Sequence, residues 1–327
     1  MRIKVLLFGS PGHGSFNSCG LAGVEAARQA GQQVDLIWIE SAGPAIRAAR
    51  LIDICHRGAD LIIAYGSPGD YPVAMAAMRF PHIHFIVVQG SYVGENAAVY
   101  SVREDQAAFL AGVLAAAETR TGGLGHLGGV KTDAALRVRA AYVDGAHRQS
   151  PGMGMMTSFC GSIDDAELAF DTCEAMARRG VDVVFGAIDG GRPGIERACQ
   201  KFRLRQIGTH IDWTEAEPHL YLGSAIADSG RCIATAIKDY AKGNVRFGAS
   251  TSFGVESPDY VRVAVGRTVG QATKLALDEW SQAMVRGEEV TYGESPNPVQ
   301  FTWSNGYDIP VWIAAYGPKA LDAAGRA

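Results

Sequence analysis

The chain has 327 residues, enough for two α/β domains or one large one and too many for a single small module. Its 30 basic and 34 acidic side chains give a formal charge of −4, which argues against nucleic acid or an anionic membrane surface as the main partner. No run of 18 uninterrupted apolar residues occurs, so no transmembrane helix is expected.

The first strand is expected at Ile3–Phe8, an apolar run too short for the core of a signal peptide, which taken literally keeps the protein in the cytosol. It runs into the glycine-rich loop 9–17, which opens a helix. The glycines do not follow G-x-G-x-x-G, so the loop matches a dinucleotide site only in part. Ser15 or Asn17 can cap the helix, a role compatible with holding a ligand. Three more β-branched apolar runs follow, at Val34–Ile39, Leu61–Tyr65 and 83–88, each with a turn and a helix-like stretch after it. His82 and His84 alternate on the last of these runs, but no third ligand accompanies them and no metal is expected. Residues 104–118 read as a buried helix with an acidic first turn, of which only Asp105 and Gln106 are placed to reach a cleft.

A shift of 122 residues carries all four early strands onto later candidates, at 125–130, 156–160, 183–186 and 205–210. The stretch from Arg57 to Ala64 even repeats in wording between Arg179 and Gly186. Strands alternating with amphipathic helices, met twice in the same spacing, imply two similar α/β lobes, each built on a parallel sheet. The turn at 125–132 only imitates a phosphate loop, because Val130 stands before Lys131 where the motif needs glycine. The remainder supplies helices at 229–241 and 269–285 and closing strands, with several chain crossings forming a hinge. The expected division is residues 1–121 with about 228–265, and 122–227 with about 266–327.

Ligands of open parallel sheets bind outside the carboxyl ends of the strands. If the two sets of ends face each other, the cleft holds Phe16, Tyr65, Phe159, Phe185 and Trp213 together with Asn17, Asp70, Asp189 and Asp212. Aromatic faces with amide and carboxylate edges suit a flat heteroaromatic ligand. No G-x-S-x-G elbow and no acid–base pair stands out, so an enzyme is not expected, and no cofactor is assigned. The alternative of another class is a nucleotide-dependent enzyme on a doubly wound sheet. The six cysteines form no C-x-x-C pair and read as free, mostly buried thiols, which favours a reducing compartment.

Several blocks, in order, resemble the basic membrane protein family of ABC-transporter substrate-binding proteins, including its purine nucleoside receptor type. They are Gly14-Ser15-Phe16-Asn17, residues 109–116, 121–129, 142–146, Gly161-Ser162-Ile163-Asp164-Asp165, 182–185 and 207–212. The resemblance implies a type I periplasmic-binding-protein-like fold, two α/β lobes hinged by three crossings and closing on a ligand. It implies that Phe16 and Phe159 sandwich a base and that Asn17 with the Asp105–Gln106 turn hydrogen-bonds its edge. Gly186, with Asp189, and Asp212 would line the ribose side. Two sugar-side groups of the family are replaced: an aspartate after the first strand by Phe8-Gly9-Ser10, and a lysine by Ala227. This departure points toward a free purine base or a differently substituted heterocycle. A monomer serving an ABC permease in the periplasm or cell envelope is implied; a cytosolic sensor of the same fold is the alternative.

Overall fold

The computed structural model describes residues 1–9, 15–41, 43–215 and 217–287. The first sheet begins with β1 (Ile3–Phe8), β2 (Val34–Ile39), β3 (Leu61–Tyr65), β4 (His84–Val88) and β5 (Ala97–Val102). It is completed by β11 (Ser250–Phe253) in the order β11-β5-β4-β3-β1-β2, and every pairing in it is parallel. The second sheet contains β6 (Gly123–Gly128), β7 (Gly154–Phe159), β8 (Val181–Ala187), β9 (Arg205–Thr209), β10 (Tyr221–Ala227) and β12 (Val261–Val265). Its order is β12-β10-β9-β8-β6-β7, with β12 alone antiparallel to its neighbour. The five strands before each closing strand follow the same spatial order in both sheets, so the 122-residue repeat is a repeat of topology.

The central strands form because their side chains are apolar on both faces. Leu61–Tyr65 is buried at all five positions, and β10 at all seven, as expected of parallel strands covered on both sides. In the first lobe α2 (Pro44–His56) and α3 (Asp70–Ala77) cover one face, where Leu6, Leu51, Ile54, Ile62, Val73 and Phe85 share a core. In the second lobe α6 (Ala166–Ala177) and α7 (Arg192–Phe202) do the same over Leu127, Cys173, Val184, Ile195 and Leu204.

The opposite faces are covered by an exchange of helices. In the first lobe α1 (Ser15–Gln29) packs against α8 (Gly230–Ala241), which arrives directly from β10 of the second sheet. In the second lobe α5 (Asp133–Gln149) packs against α4 (Glu104–Glu118), which arrives directly from β5 of the first. Glycine permits both close crossings. A Cβ on Gly230 would collide with the Cys19 carbonyl, and a Cβ on Gly112 with the Tyr142 carbonyl. Helix α9 (Gln271–Val285) packs on the outer side of α4.

The chain therefore crosses between the sheets three times, after β5, after β10 and between β11 and β12. The crossings are tied to one another, with Arg103 N donating to Phe253 O (2.8 Å) and Asp228 N to Tyr260 O (2.8 Å). Sheet membership cuts across the division expected from the sequence at two elements. Helix α4, expected with the first lobe, packs on the second sheet, and β12, also expected with the first, pairs with β10. Each lies just beyond a crossing, where chain order and spatial order part. Residues 288–327 lie outside the described residues.

Candidate functional site

Phe16 stands in the first turn of α1, after the loop that leaves β1. Its ring stacks on Tyr65, 4.4 Å away at 29°. The Tyr65 hydroxyl donates to the Phe16 carbonyl (2.9 Å) and shares a hydrogen bond with Ser229 Oγ (2.6 Å). Tyr65 is 1% exposed, so it supports Phe16 from beneath and does not itself face the cleft. Gly66, with φ 100°, lets the chain turn past the Phe16 ring, which a Cβ there would meet at 3.3 Å. Asn17 Nδ2 donates to the Phe8 carbonyl (3.2 Å), fixing α1 to the end of β1. The Ser15 side chain and residues 10–14 lie outside the described residues.

The second lobe reaches Phe16 through the ends of β8 and β9. Asp189 Oδ1 accepts the Phe16 N–H across the cleft (3.3 Å), a carboxylate at the N-terminus of a 15-residue helix, where the helix dipole favours it. The Asp189 loop is held by Ile163, whose carbonyl accepts from Asp189 N (3.0 Å) and Gly191 N (2.9 Å). His210, after β9, makes a T-shaped contact with the Phe16 ring at 5.7 Å and 68°. Below these groups lies Cys19, whose thiol is pushed up to about 12 by burial and then by the charges of Asp228, Asp189 and Glu104. It stays protonated at neutral pH and is no nucleophile. Burial, with the same acidic surroundings, also drives Tyr65 well above the usual phenol range.

The first turn of α4 is spent largely on the hinge. Gln106 Oε1 accepts Val255 N (2.9 Å), and Glu104 Oε1 accepts Gln89 Nε2 (2.7 Å). Asp105 pairs with Arg103, with Nη2 to Oδ2 at 2.9 Å. Asp105 also lines an interlobe cavity of about 320 Å³, together with Gln89, Ser101, Glu104, Arg137 and Ser252. Asp70 does not face the cleft; it accepts the backbone N–H groups of Ser91 (2.7 Å) and Tyr92 (2.9 Å) and holds the turn after β4.

The remaining expected residues are dispersed over the second lobe. Phe159 ends β7 at the sheet edge, with His126 against its ring at 5.6 Å, Arg139 at 5.7 Å and Lys131 at 6.0 Å. The lobe-two groups that meet Phe16 follow β8 and β9, and β6 separates β8 from β7. Phe185 is 1% exposed and stacks on Tyr142 at 5.0 Å inside the lobe. Gly186 faces α7, where a Cβ would meet Ile195 Cδ1 at 2.6 Å. Asp212 Oδ1 accepts from Thr214 N (2.9 Å) and Oγ1 (2.6 Å), folding its own loop. Trp213 lies under the Arg192 guanidinium, 3.8 Å from its ring centre, and its Nε1 donates to Thr209 O (3.1 Å).

The structure thus brings together Phe16, Tyr65 and Asp189 of the expected set and adds His210, Ser229 and Cys19. Neither Ser229 nor Cys19 carries a motif; Ser229 meets the site because α8 is exchanged between lobes, whereas Cys19 lies one turn after Phe16 on α1 itself. His210 sits at a strand end legible in the sequence, but nothing in its neighbourhood marks a histidine there as exceptional.

The family profile of PnrA-like ABC transporter substrate-binding proteins, named Bmp, matches residues 2–292. Basic membrane protein A2 of Borrelia garinii subsp. bavariensis is 24% identical over 249 residues, covering 74% of this chain and 73% of its own length. The ABC transporter nucleoside-binding protein BmpA of Lactococcus lactis subsp. cremoris is 28% identical over 141 residues, 43% of this chain and 40% of that protein. In fold, an ABC transporter solute-binding protein from Aeropyrum pernix K1 superposes with a TM-score of 0.79 at 20% identity, covering 90% of this chain and 94% of the other. A transcriptional activator of the comK gene from Bacillus halodurans does so at 0.75 and 17% identity, covering 88% and 99%. The chain belongs to the PnrA-like family of ABC transporter substrate-binding proteins, which bind solutes and are not enzymes.

Proposed function

We propose that, as a substrate-binding protein of this family, the chain captures a purine-type ligand, a base in preference to a nucleoside, between its lobes. It would then deliver that ligand, as a monomer at the cell envelope, to an ABC permease. The observation that carries this reading is Phe16, an aromatic face buttressed by Tyr65 and approached from the other lobe by Asp189 and His210. A flat heterocycle stacked on that ring would draw roughly 1–3 kcal/mol from the contact. The name of the Lactococcus lactis relative, a nucleoside-binding protein, supports the ligand class.

The preference for a base rests on the groups left for a sugar. Asp212 Oδ1 is engaged within its own loop, and Ala227, 3% exposed, offers no charge. Isothermal titration with adenine, guanine, hypoxanthine, adenosine, inosine and riboflavin tests the reading. Binding of at least one base more tightly than its nucleoside is expected; tight nucleoside binding without a response to bases would exclude it.

A sensor of the same fold inside the cell is the second reading, favoured by six free cysteines, five of them buried. Fractionation of the source cells separates the two, an envelope location supporting transport and a cytosolic one supporting sensing.

A further inference from the structure

The two lobes repeat an unusual backbone turn as well as their strands. Gln89, directly after β4, has φ 57°, and His210, directly after β9, has φ 66°. The two positions are 121 residues apart, one short of the strand repeat. Left-handed backbone is uncommon outside glycine. In both lobes the turning residue donates its N–H to the neighbouring strand, Gln89 to Tyr100 O (2.9 Å) and His210 to Ala225 O (3.0 Å). The device places one polar side chain at the carboxyl edge of each sheet.

The two side chains are used differently. Gln89 is engaged at both ends of its amide, donating from Nε2 to Glu104 (2.7 Å) and accepting at Oε1 from Val102 N (2.6 Å). His210 Nδ1 is buried and has no hydrogen-bond partner among the described residues, while its ring stands in a T-shaped contact with Phe16. A buried polar atom without a partner calls for an explanation, and so does a strained backbone beside a binding surface. In His210 both fall on one residue, next to the aromatic platform. Polar neighbours of the Phe16 ring are already engaged: Tyr65 with Ser229, Asn17 with Phe8 O, and Asp189 with Phe16 N.

We propose that His210 determines ligand specificity, its Nδ1 hydrogen-bonding an edge heteroatom of a heterocycle stacked on Phe16. This rests on the purine-type reading given above. A neutral imidazole offers either an N–H or a lone pair at Nδ1 according to its tautomer. It can therefore meet the 6-oxo group of guanine or hypoxanthine, or the 6-amino group of adenine, and favours whichever the cleft orients toward it.

Two variants isolate this role. His210→Asn keeps a donor and an acceptor near the position of Nδ1 and tolerates the left-handed backbone, whereas His210→Gly removes the side chain at a backbone conformation suited to glycine. Wild type and both variants would be titrated calorimetrically with adenine, guanine, hypoxanthine, adenosine and inosine, with folding checked by thermal melts. We expect His210→Gly to bind the best wild-type ligand about tenfold or more weakly and to lose the preference between 6-oxo and 6-amino purines, while His210→Asn stays within a few-fold. Wild-type affinity and preference in His210→Gly, or equal losses in the two variants, would overturn the hydrogen-bonding role alone. A wild-type protein that binds none of the five ligands would overturn the purine reading and this inference with it.

Discussion

The hydroxyls of Tyr65 and Ser229 share a 2.6 Å hydrogen bond at a place where both residues are closed to solvent, 1% and 0% exposed. Tyr65 belongs to the third strand of the first sheet, and Ser229 to the crossing that returns from the second. The same phenol donates to the Phe16 carbonyl (2.9 Å), so one side chain joins a crossing to the aromatic platform. Tyr65→Phe leaves the Phe16 carbonyl without this donor and the buried Ser229 hydroxyl without this acceptor, and should cost about 1–3 kcal/mol. Urea unfolding measures that loss directly. Ligand affinity should fall as well, because the Phe16 backbone loses its support; a variant with unchanged stability and affinity would contradict this role.

Phe16→Ala should weaken binding by roughly one base-stacking contact, about 1–3 kcal/mol, without changing the circular dichroism spectrum. Phe159→Ala should weaken it less, because its ring lies on the edge strand among His126, Lys131 and Arg139. Calorimetry on the two variants side by side checks the order; equal and large losses would restore Phe159 as the second face of a sandwich.

The Asp189 carboxylate links the lobes through the Phe16 N–H, 3.3 Å away. Asp189→Ala should loosen the interlobe approach in the ligand-free protein, raising the radius of gyration seen by small-angle scattering, with Asp189→Asn intermediate because it retains an acceptor but no charge. Superimposable scattering curves for all three proteins would remove the link from the closing mechanism.

His126 gives the second lobe an acid sensitivity. Burial, followed by the nearby Arg139 charge, pushes it from 6.5 down to about 3, and both ring nitrogens are buried without hydrogen-bond partners among the described residues. The folded protein keeps the ring neutral where the unfolded chain takes up a proton. Its contribution is therefore intact above about pH 6.5 and is lost as pH falls toward 3, by about 1.4 kcal/mol for each unit. His126→Leu should narrow the difference in Tm between pH 7 and pH 5, and an identical pH dependence in wild type and variant would assign the acid sensitivity elsewhere.

The parallel sheets and their repeat were legible because buried parallel strands must be apolar on both faces, which writes a continuous run that can be matched at a fixed offset. Leu61–Tyr65 and its counterpart β8 illustrate this; β8 runs from Val181 to Ala187, enclosing the expected 183–186. The helix at 104–118 was also legible in its bounds, but its lobe was not. An apolar surface on all sides suits either sheet, and the close approaches of Gly112 to Tyr142 O and of Gly145 to Phe109 O fix it against α5. The cleft was half legible for the same reason. Strand ends mark where a ligand sits, yet Phe185 and Tyr65, both aromatics at such ends, turn inward because the side chains of a strand alternate between faces.

By itself the sequence determined two related α/β lobes, the ends of their sheets that face one another, and membership in a family of solute-binding proteins, because these follow from hydrophobic periodicity and ordered local motifs. Tertiary structure decided which side chains meet at the cleft. That choice depends on the crossings, which bring Ser229 beneath Tyr65 and set Asp189 and His210 against Phe16 from 173 or more residues away. No local pattern encodes such distances; they are fixed only when the exchanged helices pack and the two sheets turn their carboxyl ends toward one another.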